Sequence, residues 1–318
     1  MLNYEKIAFL KKALRIRMVE EHIADCYKYQ EMRCPVHLSI GQEANAVLIA
    51  ECLTKDDYMV STHRGHAHYL AKGGKLEGLI GELYGKRIGC AGGNGGSMHL
   101  VDHTCGFLGS TSIVGGTIPV GVGAAWAAKI KGEDKRSVIC IGDAAVEEGV
   151  FHESINFAAL HNLNTVFFIE DNFYSCFTHK RNRQPERQWF KIAQAYGVGH
   201  LEVKWDNFWN DFNKVKVCLE TSKTPVIITC DAYRFVEHCG PNQDDDLGYR
   251  DQREIEVWRS KDPIDNLIHD LVMAKFLTDN MYEQMRDDIK SEIVACFAKV
   301  SNAENPDPNE LGAYLYAY

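Results

Sequence analysis

The sequence predicts an α/β fold, a doubly wound, mostly parallel sheet with N- and C-terminal helical extensions, and three observations carry that prediction. Short apolar runs at 137–141, 165–169 and 225–230 alternate with segments of helical periodicity. Two of these runs end in polar signals, Gly142-Asp143-Ala144 and Asp171-Asn172. Between those signals, Val150, Phe151, Ile155, Phe157, Ala158 and Leu160 recur at helical spacing over 146–161. The stretch reads as strand, turn, helix, strand: one βαβ unit with both signals at carboxyl ends of parallel strands, the edge where open α/β sheets bind ligands.

The remaining elements follow in chain order. Ile7, Leu10, Leu14, Met18, Ile23 and Tyr27 mark a long amphipathic helix over 4–30. A second, apolar helix is predicted over 45–52, a short strand over 58–61 and a helix over 76–84, followed by an irregular glycine-rich loop at 89–96. Residues 119–130 form a helix of small residues that packs closely. After the βαβ unit come a helix at 188–196, a strand at 200–203, a helix at 208–221 and a central strand at 225–230. Residues 233–253 break the rhythm: polar, with Gly240-Pro241-Asn242 and three consecutive Asp, they read as a long functional loop, mobile when its basic residues lack an anionic ligand. Helices at 262–277 and 281–300 and a tail over 302–318 complete a chain read as a single domain, 1–318, with its C-terminal helical region from about 262.

Composition narrows the function classes. The 318 residues are enough for a sizeable core, and a net charge of −9 argues against nucleic acid or an anionic membrane as the main partner. There is no apolar run of membrane-spanning length, and the first dozen residues lack a signal-peptide core. Several of the 11 cysteines (Cys140, Cys230, Cys296) sit in apolar runs as small core residues, so reduced thiols in a cytoplasmic protein are expected.

Asp143 and Asn172 are 29 residues apart, yet they meet if their strands are neighbours. A carboxylate with an amide oxygen is hard-ligand chemistry, suited to Mg²⁺ or Ca²⁺ holding a phosphate. Competing readings attach to other residues. His66 and His68 would share a face on an extended segment beside His63, a zinc-like composition. Cys90, His99, His103 and Cys105 have zinc-like types without a CxxC pair and read as loop residues. Asp244, Asp245 and Asp246 lack a calcium-loop pattern and read as a solvated charge run. Trp205, Phe208, Trp209 and Phe212, at helical spacing, read as core or subunit packing.

Several motifs in order add a family resemblance: HLSIGQEA (37–44), STHRGHAHYLAKGG (61–74), GGSMH (95–99), SIVGGTIPVGVGAA (112–125), GDAAVEEGVFHESINFAAL (142–160), EDNFYS (170–175), DAYRFVEHCGP (231–241), DLGYR (246–250) and PDPNEL (306–311). Over nearly its whole length the chain resembles the α subunits of thiamine-diphosphate-dependent 2-oxo acid dehydrogenases, the pyruvate, branched-chain and acetoin enzymes. The resemblance implies the thiamine-diphosphate-binding fold, with Mg²⁺ held by Asp143, Asn172 and the Tyr174 carbonyl. It implies that His63 and Arg64 meet the diphosphate, where a guanidinium fork suits phosphate oxygens. Arg234 and His238 would reach the diphosphate and the mouth of the site, with His238 and His63 as the catalytic candidates. Ser112 and Val114 would meet the aminopyrimidine ring. Gly142, Ala144 and Ala145 would bring backbone to the phosphates at the amino end of a helix.

The same resemblance implies decarboxylation of a small 2-oxo acid, or cleavage of acetoin, with the acyl unit passed to a lipoyl group on a separate acyltransferase. It also implies a β subunit that supplies the Glu activating the cofactor, in an assembly of two α and two β chains. Two alternatives keep parts of this reading: a carbon–carbon ligase or decarboxylase that delivers the unit to another carbonyl, and a non-catalytic interaction subunit. The chain departs from the family pattern at five positions. Ala144 stands in place of Gly, where a Cβ would crowd the turn. Asp171 stands in place of Asn, His63 in place of Tyr, and Gly92 and Asn94 stand where Lys is common.

Overall fold

The computed structural model of the protein describes residues 2–310, and in it the apolar runs become strands enclosed on both faces. The strands are β1 (Tyr58–Ser61), β2 (Phe107–Ser110), β3 (Ser137–Gly142), β4 (Thr165–Asp171), β5 (Tyr174–Ser175), β6 (Thr178–His179), β7 (Gly199–Val203) and β8 (Val226–Asp231). The helices are α1 (Asn3–Tyr27), α2 (Glu43–Glu51), α3 (His66–Ala71), α4 (Leu76–Leu83), α5 (Thr117–Lys131), α6 (Gly149–Leu160), α7 (Trp189–Tyr196), α8 (Phe208–Thr221), α9 (Gln252–Ser260), α10 (Pro263–Met273) and α11 (Asp279–Ser301).

Among the described residues six strands form one sheet in the order β2-β1-β3-β4-β8-β7, every pairing parallel. From β1 the chain goes out to the edge strand β2, then returns to β3 on the other side of β1. Connections from β1 and β3 therefore leave in opposite directions, which opens a crevice above their carboxyl ends. Strand alternation divides the core. Met59, Val138, Cys140, Val166, Phe168 and Ile228 face one layer with α1, α2, α4, α8, α10 and α11. Val60, Ile139, Ile141, Phe167, Ile169 and Ile227 face the other, under α5, α6 and α7. No helix among the described residues is long and apolar enough to cross a membrane.

α5 shows why its small residues are there. A Cβ at Gly121 would lie 2.4 Å from Ile139 Cγ1 and 2.9 Å from Val60 Cγ2, so only Gly lets the helix lie this close to the sheet. Arg17 ties the N-terminal helix down: it pairs with Glu43 of α2 and, at 2.9 Å, with Asp262, whose own carboxylate caps α10 through Ile264 N–H. Phe9 of α1 packs edge-on against Phe208 and Trp209 of α8, so the aromatic cluster is core, as its spacing predicted.

Several expectations are corrected. Residues 66–71 are helical, not extended, so His66 and His68 do not share a strand face. His66 donates or accepts at Glu20 (3.0 Å) and Ser97 (2.8 Å), and His68 at Ser61 (2.9 Å); both rings serve buried polar chains. The 146–161 helix begins at Gly149, after a single 3₁₀ turn at Ala145–Glu147. β2 and the β5–β6 hairpin were not foreseen, and α9 starts inside the segment read as loop. The Gly89–Gly96 region takes its shape from Glu82 of α4, which is 1% exposed and accepts N–H groups from Ala91 (2.8 Å), Gly93 (3.0 Å), Gly95 and Gly96 (3.2 Å).

The acidic run is solvated only at Asp246, which is exposed. Asp244 is buried, pairs with Arg250 and accepts from the Tyr249 hydroxyl. Asp245 pairs with Arg250 (3.3 Å) and Arg259 (2.8 Å). The reason given for mobility of 233–253, basic residues without counter-ions, therefore does not hold: Arg234 lies 3.6 Å from Asp244 and donates to Tyr249 at 2.6 Å. The end of the tail, 311–318, including Leu311 of PDPNEL, lies outside the described residues.

Candidate functional site

The sheet brings loops from five strands to one cleft at its carboxyl edge. Thr62, His63 and Arg64 come after β1, Val114 after β2, Gly142 to Ala145 at and after β3, and Asn172 and Tyr174 to Cys176 after β4. His238 comes from the segment after β8, with Glu170 of β4 and Gln42 also lining the cleft. Of the residues singled out in the sequence, His63, Arg64, Val114, Gly142, Asp143, Ala144, Ala145, Asn172, Tyr174 and His238 line this one space. Ser112 and Arg234 stand back from it. Ser112 is exposed, 3.5 Å from His99 Nε2, and Arg234 is buried behind the wall, donating to the Cys176 carbonyl at 3.4 Å.

The β1 wall is cationic. Arg64 is buried and gives its donors to the carbonyls of Leu38 (2.6 Å) and His238 (2.9 Å). Burial, then the charge of Arg234, lower its pKa to about 9, so the guanidinium stays charged in a place that favours an anion. Beside it His37, His63 and His238 meet edge-on or tilted, with ring centroids 4.7 to 5.4 Å apart. Burial first, and Arg64 second, hold all three below the ordinary imidazole range, His63 at about 4 and His238 at about 3, so they are neutral at pH 7.

Among the described residues this trio is the one group of three potential metal donors, its nitrogens within 4.8 Å of one another. A tetrahedral Zn²⁺ with bonds of about 2.0–2.1 Å needs its donors roughly 3.4 Å apart. The adjacent Arg64 charge opposes a cation as well, so the trio is read as an uncharged lining. Cys90, His99, His103 and Cys105 do not form such a group.

The opposite wall is acidic. β3 and β4 pair in register with Gly142 beside Glu170, which sets Asp143 and Asn172 at adjacent strand ends, and Asp143 N–H donates to the Glu170 carbonyl at 3.2 Å. The Asn172 amide oxygen accepts from Tyr174 N–H at 3.2 Å, and Asp143, Asn172 and Tyr174 all line the cleft. Burial, then the charge of Asp171, raise the Asp143 carboxyl to about 6, with Arg183 opposing. Ala144 has φ −78° and ψ −30°, an ordinary right-handed conformation, so the position makes no demand for Gly. Asp143, Asn172 and Tyr174 offer oxygen donors across the cleft from a buried Arg64, a donor set whose chemistry would suit a hard divalent cation.

Sequence reasoning missed two features. Glu170, buried at the floor of the cleft, has Oε1 without a partner and is raised to about 7, chiefly by burial. Its place at the last inward position of an apolar strand was the available signal. Arg183 and Lys180 reach back over the acidic wall: Arg183 Nη2 lies 2.5 Å from Asp143 Oδ2, and Lys180 pairs with Asp171. Their signal was the basic run Lys180-Arg181-Asn182-Arg183 directly after the site hairpin.

Comparison with known proteins gives a consistent set of relatives. A family model described as "Dehydrogenase E1 component" matches residues 11–309. The chain is 30% identical over 315 residues to the pyruvate dehydrogenase E1 component subunit alpha of Rickettsia bellii, covering 98% of this chain and 96% of that protein. It is 31% identical over 316 residues to the Rickettsia felis protein of the same name, with 98% and 96% covered. To the mitochondrial pyruvate dehydrogenase E1 component subunit alpha of Solanum tuberosum it is 30% identical over 319 residues, with 98% and 80% covered.

Proposed function

The chain belongs to the dehydrogenase E1 component family, and from that membership we propose how its cleft works. It is the α subunit of a thiamine-diphosphate-dependent enzyme that decarboxylates a 2-oxo acid and passes the acyl unit to a lipoyl acceptor, working with a β subunit. The observation that carries the reading is the cleft itself. Arg64, Asp143, Asn172 and Tyr174, from three different strand ends, face one another across a single space with His63 and His238.

In this proposal Asp143, the Asn172 side chain and the Tyr174 carbonyl hold Mg²⁺. Arg64 and His63 take the diphosphate, with Arg234 holding the loop that brings His238 to the mouth. Backbone at Gly142, Ala144 and Ala145 would meet the phosphates and Val114 the aminopyrimidine end, with Ser112 outside the cleft. When bound, the cofactor supplies the electron sink for decarboxylation. The chain's own part is to orient it, neutralise its charge and keep the mouth lined by uncharged imidazoles, with His63 and His238 placed to hydrogen-bond the reacting oxygen.

A single domain spanning 1–318, an assembly of two α and two β chains, a lipoyl acyltransferase partner and a cytoplasmic location belong to the same proposal. Ile113 and Val120, exposed apolar residues in the segment that carries Val114, support a partner chain beside the cleft. The test is acylation of a lipoyl domain by the assembled α and β chains. Transfer from a 2-oxo acid that requires both thiamine diphosphate and Mg²⁺ is expected. A well-folded assembly that binds neither would sink the proposal.

A further inference from the structure

Asp143, the carboxylate best placed to hold a metal, is covered by a cation of its own chain. Arg183 Nη2 lies 2.5 Å from Asp143 Oδ2, and Nη1 of the same guanidinium pairs with Glu147. Next to it Gln184 Nε2 donates to the Asp143 carbonyl and to Glu147, each at 2.7 Å. Three residues earlier Lys180 pairs with Asp171, and its N–H donates to the Phe173 carbonyl at 2.7 Å. The 3₁₀ turn Lys180–Asn182 thus lays two cations onto three carboxylates. Both Asp143 and Arg183 are largely shielded, with side chains 6% and 11% exposed, so the pair is not a solvated surface contact.

A buried carboxylate with a second one nearby needs a counter-ion. A divalent cation supplies it when the site is loaded; Arg183 supplies it otherwise. A guanidinium on Asp143 Oδ2 opposes a metal on the same carboxylate, because the two positive charges repel. Resting on the reading above, we propose that Arg183, backed by Lys180, is a resident counter-ion that competes with the divalent cation for Asp143. Loading the site then releases the 180–187 segment. The competition sets the metal concentration at which the site fills, and it frees Lys180, Arg181, Arg183 and Arg187 beside the bound diphosphate.

The test uses the full chain and Mn²⁺ as the probe, with bound metal counted by electron paramagnetic resonance. Arg183→Met is expected to bind Mn²⁺ roughly tenfold more tightly than the wild type. Arg183→Lys, which keeps the charge, is expected to stay near wild type, and Asp143→Asn to remove the site in every background. Equal affinity of the wild type and Arg183→Met, with both lost in Asp143→Asn, overturns the competition and leaves the metal site standing. Mn²⁺ binding indifferent to Asp143, or no binding by any of the chains, overturns the metal site and the competition with it. As a second readout, backbone amides at 180–187 are expected to exchange hydrogen faster when Mn²⁺ and thiamine diphosphate are bound. Protection unchanged or increased by a bound metal overturns the release.

Discussion

On the wall built from the ends of β1 and β8, Arg64 lies buried beside uncharged imidazoles, with Arg234 behind it against Asp244; on the wall built from β3 and β4, Asp143, Glu147 and Asp171 already carry Arg183 and Lys180. The first wall holds positive charge in reserve, because the Arg64 guanidinium bonds the carbonyls of Leu38 and His238 and the His238 ring, with no carboxylate among its described partners. The second wall is neutralised from within. An anion is therefore met by a charge already in place, whereas a cation has to displace one. One sheet edge provides both because neighbouring parallel strands release their loops at the same end.

The contrast can be broken in stages. Asp244→Ala should have the largest effect, since it leaves Arg234 buried without its carboxylate and Arg250 with only the more exposed Asp245. A loss of about 3–5 kcal/mol in unfolding free energy is expected, read by denaturant titration. Asp143→Asn acts on the other wall. Calorimetric titration should show Mg²⁺-dependent cofactor binding fall by roughly a hundredfold, with thermal stability little changed because Arg183 retains Glu147. Arg64→Gln should weaken thiamine diphosphate by about 1.5–3 kcal/mol while leaving Mn²⁺ binding near its starting value. A larger effect on Mn²⁺ than on the cofactor would show that the walls are not independent.

Acidity tests the reserve wall in a different way. His37, His63, His68 and His238 all titrate below their ordinary value in the folded chain, chiefly through burial. The folded state then binds fewer protons than the unfolded one, so stability from these groups is present above about pH 6.5 and declines as pH falls toward 4. Asp143 and Glu170, raised to about 6 and about 7, act in the opposite sense over the same window, losing stability as pH rises. His63→Tyr removes one imidazole and should flatten the melting temperature's rise between pH 4.5 and 6.5. An unchanged slope would mean that His63 is solvated. Smallest of all, Ala144→Gly should alter cofactor affinity by less than about twofold, because the backbone there already suits a side chain.

The strands that build the cleft were legible because β3, β4 and β8 are buried on both faces and read as continuous apolar runs. α1 and α8 were legible from period alone. β2 was not: four residues containing Gly109 show neither alternation nor a β-branched run, and its place is fixed by pairing with β1. α3 was hidden for a related reason, since six residues rich in His cannot display helical period. At the site, the residues that line the cleft came from motif order, which records chemistry. Arg183 lies outside the quoted motifs, and although the basic run at 180–183 is visible, nothing local shows that its guanidinium turns back onto a carboxylate 40 residues earlier. The buried Asp244 misled for the same reason: its partners are set by how 233–253 folds on itself.

The Glu82 carboxylate has a wider consequence. Four amides of an eight-residue loop converge on one anion that belongs to a helix, not to the loop. The loop is thus moulded around an internal template, as a chelating peptide is moulded around a metal. Its outline is encoded at a single distant position, so side chains at its tip, such as Asn94, are left free to diverge while the shape persists. Replacing that one template residue would erase the outline of the whole loop at once.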